Sequence, residues 1–228
     1  MRILVVTATE AEVAPLIASL QPRPGRSSRL KSYTLNRHGI DVLTTGVGMV
    51  ATATWCSGVF AREQYDLVLN AGVCGSFRPA LPPGSVVHVT TDRVADLGAE
   101  DGDGFLSLQE LQLLSDDEFP WTRGRLVNSA PPDNDALNAL PVGDAITVNT
   151  VHGRDATIAR AVERYNPHVE SMEGAAFMYA CLVHGVPFAQ VRAVSNIVER
   201  RNRPAWKLRE AIDALGASLL TIIDYAGR

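Results

Sequence analysis

Residues 2–20, RILVVTATEAEVAPLIASL, decide the fold class. Ile3 to Val6 are a short β-branched apolar run, and the TEAEVAPLIASL that follows (9–20) carries apolar residues at helical spacing behind Thr9, a helix-capping residue type. A strand feeding a helix is the repeating unit of α/β sheets. GVGMVATATWCSGVFARE (46–63) begins with two glycines, as a tight strand-to-helix turn requires, and runs on in small and apolar residues. YTLNRHGIDVLTT (33–45) reads as two short strands turning near His38-Gly39, after a segment (21–32) rich in Pro, Gly, Ser and Arg. DLVLNAGVCGS (66–76), VVHVTTDRVAD (86–96), AITVNTV (145–151) and PFAQVRAVSN (187–196) read as further strands. ESMEGAAFMYACLVHG (170–185) and AWKLREAIDALGASLLTIIDY (205–225) read as helices. This alternation predicts an α/β fold, a twisted mixed central β-sheet flanked by α-helices. With no internal repeat and no shift in composition, residues 1–228 read as one domain. The stretch 98–140, with its acidic DGDG and SDDE clusters and a Pro-Pro turn, reads as loops and short helices over one end of the sheet.

Bulk properties exclude several classes of partner. The net charge of −4 comes from 21 basic and 25 acidic residues mixed along the chain, so no field is available to hold a polyanion and no nucleic-acid partner is expected. Cys56, Cys74 and Cys181 are widely spaced and form no CxxC pair, which suits neither a disulfide framework nor a thiolate metal site and fits a reducing compartment. The five histidines, His38, His88, His152, His168 and His184, lack the spacing of a metal signature, and no metal or other cofactor is expected. Glu10 and Glu12 interrupt the first apolar run and no long uncharged stretch follows, so no membrane association is expected and the cytoplasm is the expected location.

Ligands of open α/β sheets bind beyond the carboxyl ends of the strands, which directs attention to residues 7–12, 46–48, 72–75, 170–174 and 195–196. Taken singly, each has an ordinary reading. The glycines can serve close-packed turns. GVG does not complete GxGxxG, because position 51 is Ala51, and no GxxxxGK[ST] occurs, so dinucleotide and P-loop readings lose support. Glu10 and Glu12 can be first-turn acids favoured by a helix dipole. Glu170 and Glu173, three apart, would share one face of a helical turn, where two acids repel unless one binds something or both are solvated.

In combination the pieces are more specific. RILVVTATEAEV, TGVGMVATA, NAGVCGS, VESMEGAAF and VRAVSN run nearly end to end, and in this order and spacing the chain resembles the nucleoside phosphorylase and nucleosidase superfamily, in particular methylthioadenosine/S-adenosylhomocysteine nucleosidases. The resemblance implies that Met172 and Glu173 contact the ribose, where one carboxylate can accept hydrogen bonds from both the 2′ and 3′ hydroxyls. It implies that Glu12 is the base that activates water. No arginine lies near Glu12 along the chain to hold phosphate, although Arg62 and Arg93 remain candidates for a phosphate pocket. Gly75, in the second glycine cluster, and Val151, after a strand, fall where the family approaches its substrate.

One departure carries most of the information about the base. Adenine-specific members place an aspartate where this chain has Asn196. An amide can donate to N7 or O6 of a 6-oxopurine but cannot act as a proton-donating acid, so the expected base is hypoxanthine-like; the alternative is that Asn196 only caps a following helix. In IVERRNRPAW (197–206), Arg200, Arg201 and Arg203 could bind a carboxylate at the 5′ end of a nucleoside, with Arg201 the chosen candidate, and Trp206 could cover an aryl group there. A solvated basic loop is the competing reading. The expected activity is hydrolysis of the N-glycosidic bond of a small-molecule purine nucleoside with a 6-oxo base, without a cofactor, by a homodimer or larger homo-oligomer. Three alternatives stay open: a methylthioadenosine/S-adenosylhomocysteine nucleosidase, an inosine phosphorylase, and a nucleoside-binding protein without turnover.

Overall fold

The first strand, β1 (Arg2–Thr7), is covered on both faces, which is why its sequence is a continuous apolar run and not an alternation. In the computed structural model, which describes residues 1–25 and 27–227, it leads into a 3-10 turn (Glu10–Val13), α1 (Ala14–Ala18), β2 (Gln21–Pro22), β3 (Leu30–Leu35) and β4 (His38–Thr44). There follow α2 (Met49–Phe60), β5 (Leu67–Ser76), β6 (Val86–Asp92), β7 (Gly98–Asp101), β8 (Gly104–Ser107), β9 (Trp121–Thr122), β10 (Arg125–Val127) and α3 (Asp135–Asn138). The chain continues through β11 (Val142–Thr147), α4 (Asp155–Tyr165), β12 (Val169–Ser171), α5 (Gly174–His184) and β13 (Phe188–Ile197), and after a 3-10 turn (Arg203–Ala205) it finishes on α6 (Leu208–Tyr225).

Eleven strands form one mixed sheet in the order β2-β3-β4-β1-β5-β12-β11-β6-β10-β9, with β13 pairing β5 on one side and β6 on the other. The expected twisted mixed sheet is therefore present, and part of it closes: β5, β12, β11, β6 and β13 form a complete ring of pairings. Cys74, Val87, Val89, Ala145, Val169 and Val194 fill a core of their own on these strands. The alternation of β1 separates the two helical layers. Ile3 and Val5 pack with Leu16 of α1 and with Leu215, Leu219 and Ile222 of α6, whereas Leu4 and Val6 pack with Cys56 and Phe60 of α2 and with Phe177 and Met178 of α5. α6 can approach α1 closely because position 216 is glycine; a Cβ there would stand 2.7 Å from Pro15 Cβ.

Four local expectations need correction. Residues 9–20 are not one helix: the Glu12 side chain folds back to the Thr9 amide in a capping box, and Pro15, lacking an amide donor, is accommodated in the first turn of a new helix. The turn of the 33–45 hairpin is Asn36-Arg37, with Asn36 at φ 51°, immediately before His38-Gly39. Stretch 98–140 is turns and loops for most of its length with the short helix α3, but it also holds two short hairpins, one turning at Arg123 and Gly124 with φ 50° and 67°, the values of a two-residue hairpin turn. Glu170 belongs to β12 and Glu173 caps α5, so the two acids do not share a helical face and do not face each other as the spacing suggested.

α2 and α5 are apolar nearly all round, a composition that suits a helix buried on every side. Yet Val50 is 81% exposed, and Trp55, Tyr179 and Val183 are also exposed. Among the described residues, no helix is long and apolar enough to cross a membrane.

Where β6, β11 and β13 meet the start of α5, the interior is polar. Asp92, fully buried, accepts from the Gln190 side-chain amide at 3.0 Å, the Thr147 hydroxyl at 3.0 Å and the Arg93 backbone at 2.7 Å, while Thr147 Oγ1 accepts from the Ala175 amide at 2.8 Å. Burial outweighs these bonds and pushes the Asp92 carboxyl up to about 6. An acid raised in this way is protonated more in the folded than the unfolded state between its two pKa values, so its contribution to stability is present at low pH and is lost as pH rises towards 6. Asp92→Asn removes that term. The melting temperature of the variant relative to wild type should climb by something on the order of 5 °C between pH 4 and 6 and then level off. A difference that stays flat across that window, measured by calorimetry, would mean that Asp92 does not titrate there.

Candidate active site

Glu12 is fixed by backbone as well as side chains. At the end of β1 its Oε2 accepts from the Thr9 amide at 2.9 Å and the Thr9 hydroxyl at 3.0 Å, and lies 3.3 Å from the Thr7 hydroxyl. Its Oε1 accepts from the Val73 amide of β5 at 3.1 Å. A carboxylate held through both oxygens keeps one orientation, and Oε1, which accepts a single bond, keeps a lone pair for a water or a substrate hydroxyl.

Glu173 comes from the start of α5. It caps the N-terminus of α5, 6% exposed, and its Oε1 accepts from the Gly48 amide at 2.9 Å, in a turn where Gly48 holds φ 97°. Its Oε2 lies 3.8 Å from Arg192 Nη1. Arg192, 1% exposed, is held in β13 by the side-chain oxygens of Asn70 and Gln190. Gly72 marks the space between the charges: a Cβ there would stand 2.5 Å from Arg192 Nη1 and 3.0 Å from Glu12 Oε1. Glu12 and the guanidinium thus meet over a strand residue that has no side chain, and Glu173 joins them through Arg192, with half-buried Met172 beside it.

Three residues further along β5, about 10 Å at the usual rise per residue, a second polar group surrounds Gly75. Both Glu170 of β12 and Asn196 of β13 are in register with Gly75, the latter after a bulge. Asn196 Oδ1 lies 2.8 Å from the Ser195 hydroxyl and its Nδ2 donates to the Ile197 carbonyl at 2.9 Å. Behind Glu170, His152 contributes its ring Nδ1 at 2.6 Å and its backbone N–H at 3.1 Å, which places Val151 next to this group.

Glu12, Glu173, Met172, Gly75 and Asn196 are therefore brought to one end of the sheet. Arg201 and Trp206 lie on the loop after β13, where the Lys207 amide returns to the Ser195 carbonyl at 2.8 Å. The Arg201 guanidinium lies over the Trp206 ring, 5.7 Å from its centroid, and the Arg201 amide donates to the Gly153 carbonyl at 3.3 Å. Both are thus tied to the Gly75 end of the strand and not to Glu12 or Glu173. A cavity of about 690 Å³ beside α4 and the β7–β8 hairpin is lined by Val151 and Arg201 but by none of Glu12, Glu173 and Asn196. Arg62 is exposed, and Arg93 stacks on Tyr165.

Arg192 is the functional candidate that reasoning from neighbours along the chain misses, because no arginine is near Glu12 in sequence and one is adjacent in space. Its signal is present nonetheless: PFAQVRAVSN puts a permanent charge inside a buried strand, a position that demands partners. His152 gives no such signal.

The chain is similar to known proteins along almost its whole length. Residues 2–224 match the family model described as the phosphorylase superfamily. A futalosine hydrolase of Streptomyces coelicolor is 38% identical, over 94% of this chain and 92% of that protein, and one of Acidothermus cellulolyticus is 33% identical over 94% and 90%. Among solved structures, the S-adenosylhomocysteine nucleosidase of Streptococcus pyogenes, in complex with 5-methylthiotubericidin, superposes with a TM-score of 0.83 at 19% identity, over 100% of this chain and 98% of that one. Matched along almost its whole length, the chain belongs to the phosphorylase superfamily.

Proposed function

We propose that this protein hydrolyses the N-glycosidic bond of futalosine, an inosine-like nucleoside with a carboxyphenyl ketone at its 5′ end, releasing hypoxanthine in menaquinone biosynthesis. The observation that carries the reading is the placement of Glu12, oriented by the Thr9 and Val73 amides and separated from Glu173 by Arg192 over Gly72. Glu173 accepts hydrogen bonds from the ribose hydroxyls, with Met172 against the sugar. Glu12 takes a proton from water as its oxygen bonds to C1′, and the C1′–N9 bond breaks with its electron pair leaving on the base. Positive charge developing on the ribose is stabilised by the flanking carboxylates. Arg192 does not argue for phosphate as nucleophile, because Asn70, Gln190 and Glu173 already engage its guanidinium and a phosphate would have to sit beside two carboxylates.

Asn196 selects the base by donating to N7 or O6. Arg201 supplies a cation for the substrate carboxylate and Trp206 an aromatic face, while Val151 and Gly75 border the purine. Likeness to the two futalosine hydrolases supports this choice of substrate over methylthioadenosine. The exposed apolar residues of α2 and α5 suit pairing with a second copy of the chain, and the buried, free thiols of Cys56, Cys74 and Cys181 suit a reducing cytoplasm.

Glu12→Gln keeps the shape of the site and removes the base. It should lower kcat by about a thousandfold or more while changing the affinity for hypoxanthine less than about threefold. Turnover near the wild-type rate would remove Glu12 from the mechanism. Asn196→Asp should move kcat/KM from 6-oxo towards 6-amino purine nucleosides by about tenfold or more; an unchanged ratio would mean that position 196 does not read the base. In sedimentation velocity the wild type should run as a dimer and Val50→Glu as a monomer, and a monomeric wild type would leave the α2–α5 face unexplained.

A further inference from the structure

Arg93 is a half-buried cation that the hydrolytic steps leave without a task. Its guanidinium lies over the Tyr165 ring, 5.2 Å from the centroid, and Arg164 is stacked on the same ring at 5.6 Å. The two cations are matched very differently. Arg164 is ion-paired with Glu110 and donates to the Phe105 carbonyl at 3.0 Å and the Tyr165 hydroxyl at 3.1 Å. Among the described residues no acceptor hydrogen-bonds to the Arg93 side chain, and Asp92 spends its oxygens on Gln190, Thr147 and the Arg93 backbone amide. Burial and the neighbouring Arg125 charge outweigh the pull of Tyr165, Asp144 and Asp92, and hold the guanidinium below its ordinary pKa. A charge drawn out of water without a hydrogen-bonded counter-charge costs free energy that a bound anion would recover.

There is room for one. Arg93 lines a cavity of about 340 Å³ between the end of β6, the end of α4 and the turns of 107–124, and none of Glu12, Glu173, Asn196 and Arg201 lines it. The charged lining is Arg93, Arg123 and Arg164 against Glu110 and Asp116, so that with Glu110 taken by Arg164 an excess of positive charge remains. Leu97, Leu108, Leu114 and Trp121 supply apolar wall. A planar fork of donors beside apolar wall complements a carboxylate carried on a hydrocarbon or aryl body, whereas a phosphate would give up water on several sides to the leucines. We propose that this cavity is a second binding site, for a small organic carboxylate whose two oxygens pair with the Arg93 guanidinium while its apolar body lies against the leucines and Trp121. It stands apart from the hydrolytic site and does not depend on which nucleoside that site cleaves.

Calorimetric binding of benzoate to the intact protein in low-salt buffer tests the proposal, with neutral benzamide and inorganic phosphate as comparison ligands. Benzoate should bind the wild type about tenfold or more tightly than either of them. Arg93→Gln should lose about tenfold or more in benzoate affinity, and Arg93→Lys, which keeps the charge but not the fork, about threefold or more. Both variants should keep hydrolytic kcat/KM within about twofold of wild type, because Arg93 lies outside the hydrolytic site, so that lost benzoate binding is not lost folding. Arg201→Gln should change benzoate affinity less than about twofold. Wild-type benzoate affinity in Arg93→Gln, equal binding of benzoate and benzamide, or phosphate binding more tightly than benzoate would overturn the proposal. Loss of benzoate binding in Arg201→Gln alone would also overturn it, by placing the anion in the hydrolytic site. None of these results bears on whether the protein is a hydrolase.

Discussion

A permanent positive charge buried in a β-strand governs the rest of the molecule. A guanidinium cannot shed its proton, so Arg192, 1% exposed, has to be matched wherever it lies. Asn70 and Gln190 supply neutral acceptors, and Glu173 supplies a counter-charge from the start of α5. Gln190 is itself held by Asp92, so the match extends across β13 and β6 into β11 through Thr147. Gly72 and Gly174 are the matching vacancies: a Cβ on the first would strike Arg192, and on the second would come within 2.0 Å of Gln190 Oε1. The ring of five strands and the seating of α5 on it thus serve one electrostatic requirement, and Glu173 gains a counter-charge from it.

β5 links that charge to a second polar group. Gly72 lies under Arg192 and Glu12, and Gly75 is in register with Glu170 and Asn196 on the two neighbouring strands. Each group also draws on separate parts of the chain. Glu12 comes from the loop after β1, Glu173 from a helix N-terminus, Asn196 from a bulged strand end and His152 from the loop before α4. Rigid strands hold loops that can vary, which is how a family with one sheet can serve different purines and different 5′ groups.

Much of this is legible in the sequence, and the reason differs by residue. Glu12, Glu173 and Asn196 each sit inside a short motif beside an apolar run, and the family resemblance of those motifs marks them as candidates without any knowledge of the tertiary contacts. The alternation of apolar strands and helices likewise suffices for the mixed sheet. Long-range register is not encoded locally, and the failures follow from that. Closure of the ring depends on β13 pairing with two strands far away in sequence, and the proximity of Arg192 to Glu12 depends on the same pairing. Glu170 reads as a helical neighbour of Glu173 because the strand it belongs to is only three residues long, too short for a periodic signal. The two hairpins within 98–140 are missed because their strands are equally short, and the second turns on Arg123, a left-handed residue that composition does not announce.

The central claim is that water, activated at Glu12, displaces a 6-oxopurine from a nucleoside with an aryl carboxylate at its 5′ end. Chromatography of the products formed from futalosine, inosine and methylthioadenosine, side by side in phosphate-free buffer, tests it most directly. Hypoxanthine released from futalosine, with methylthioadenosine left intact, is the predicted result. Adenine released from methylthioadenosine, or base release that begins only when phosphate is added, would contradict it.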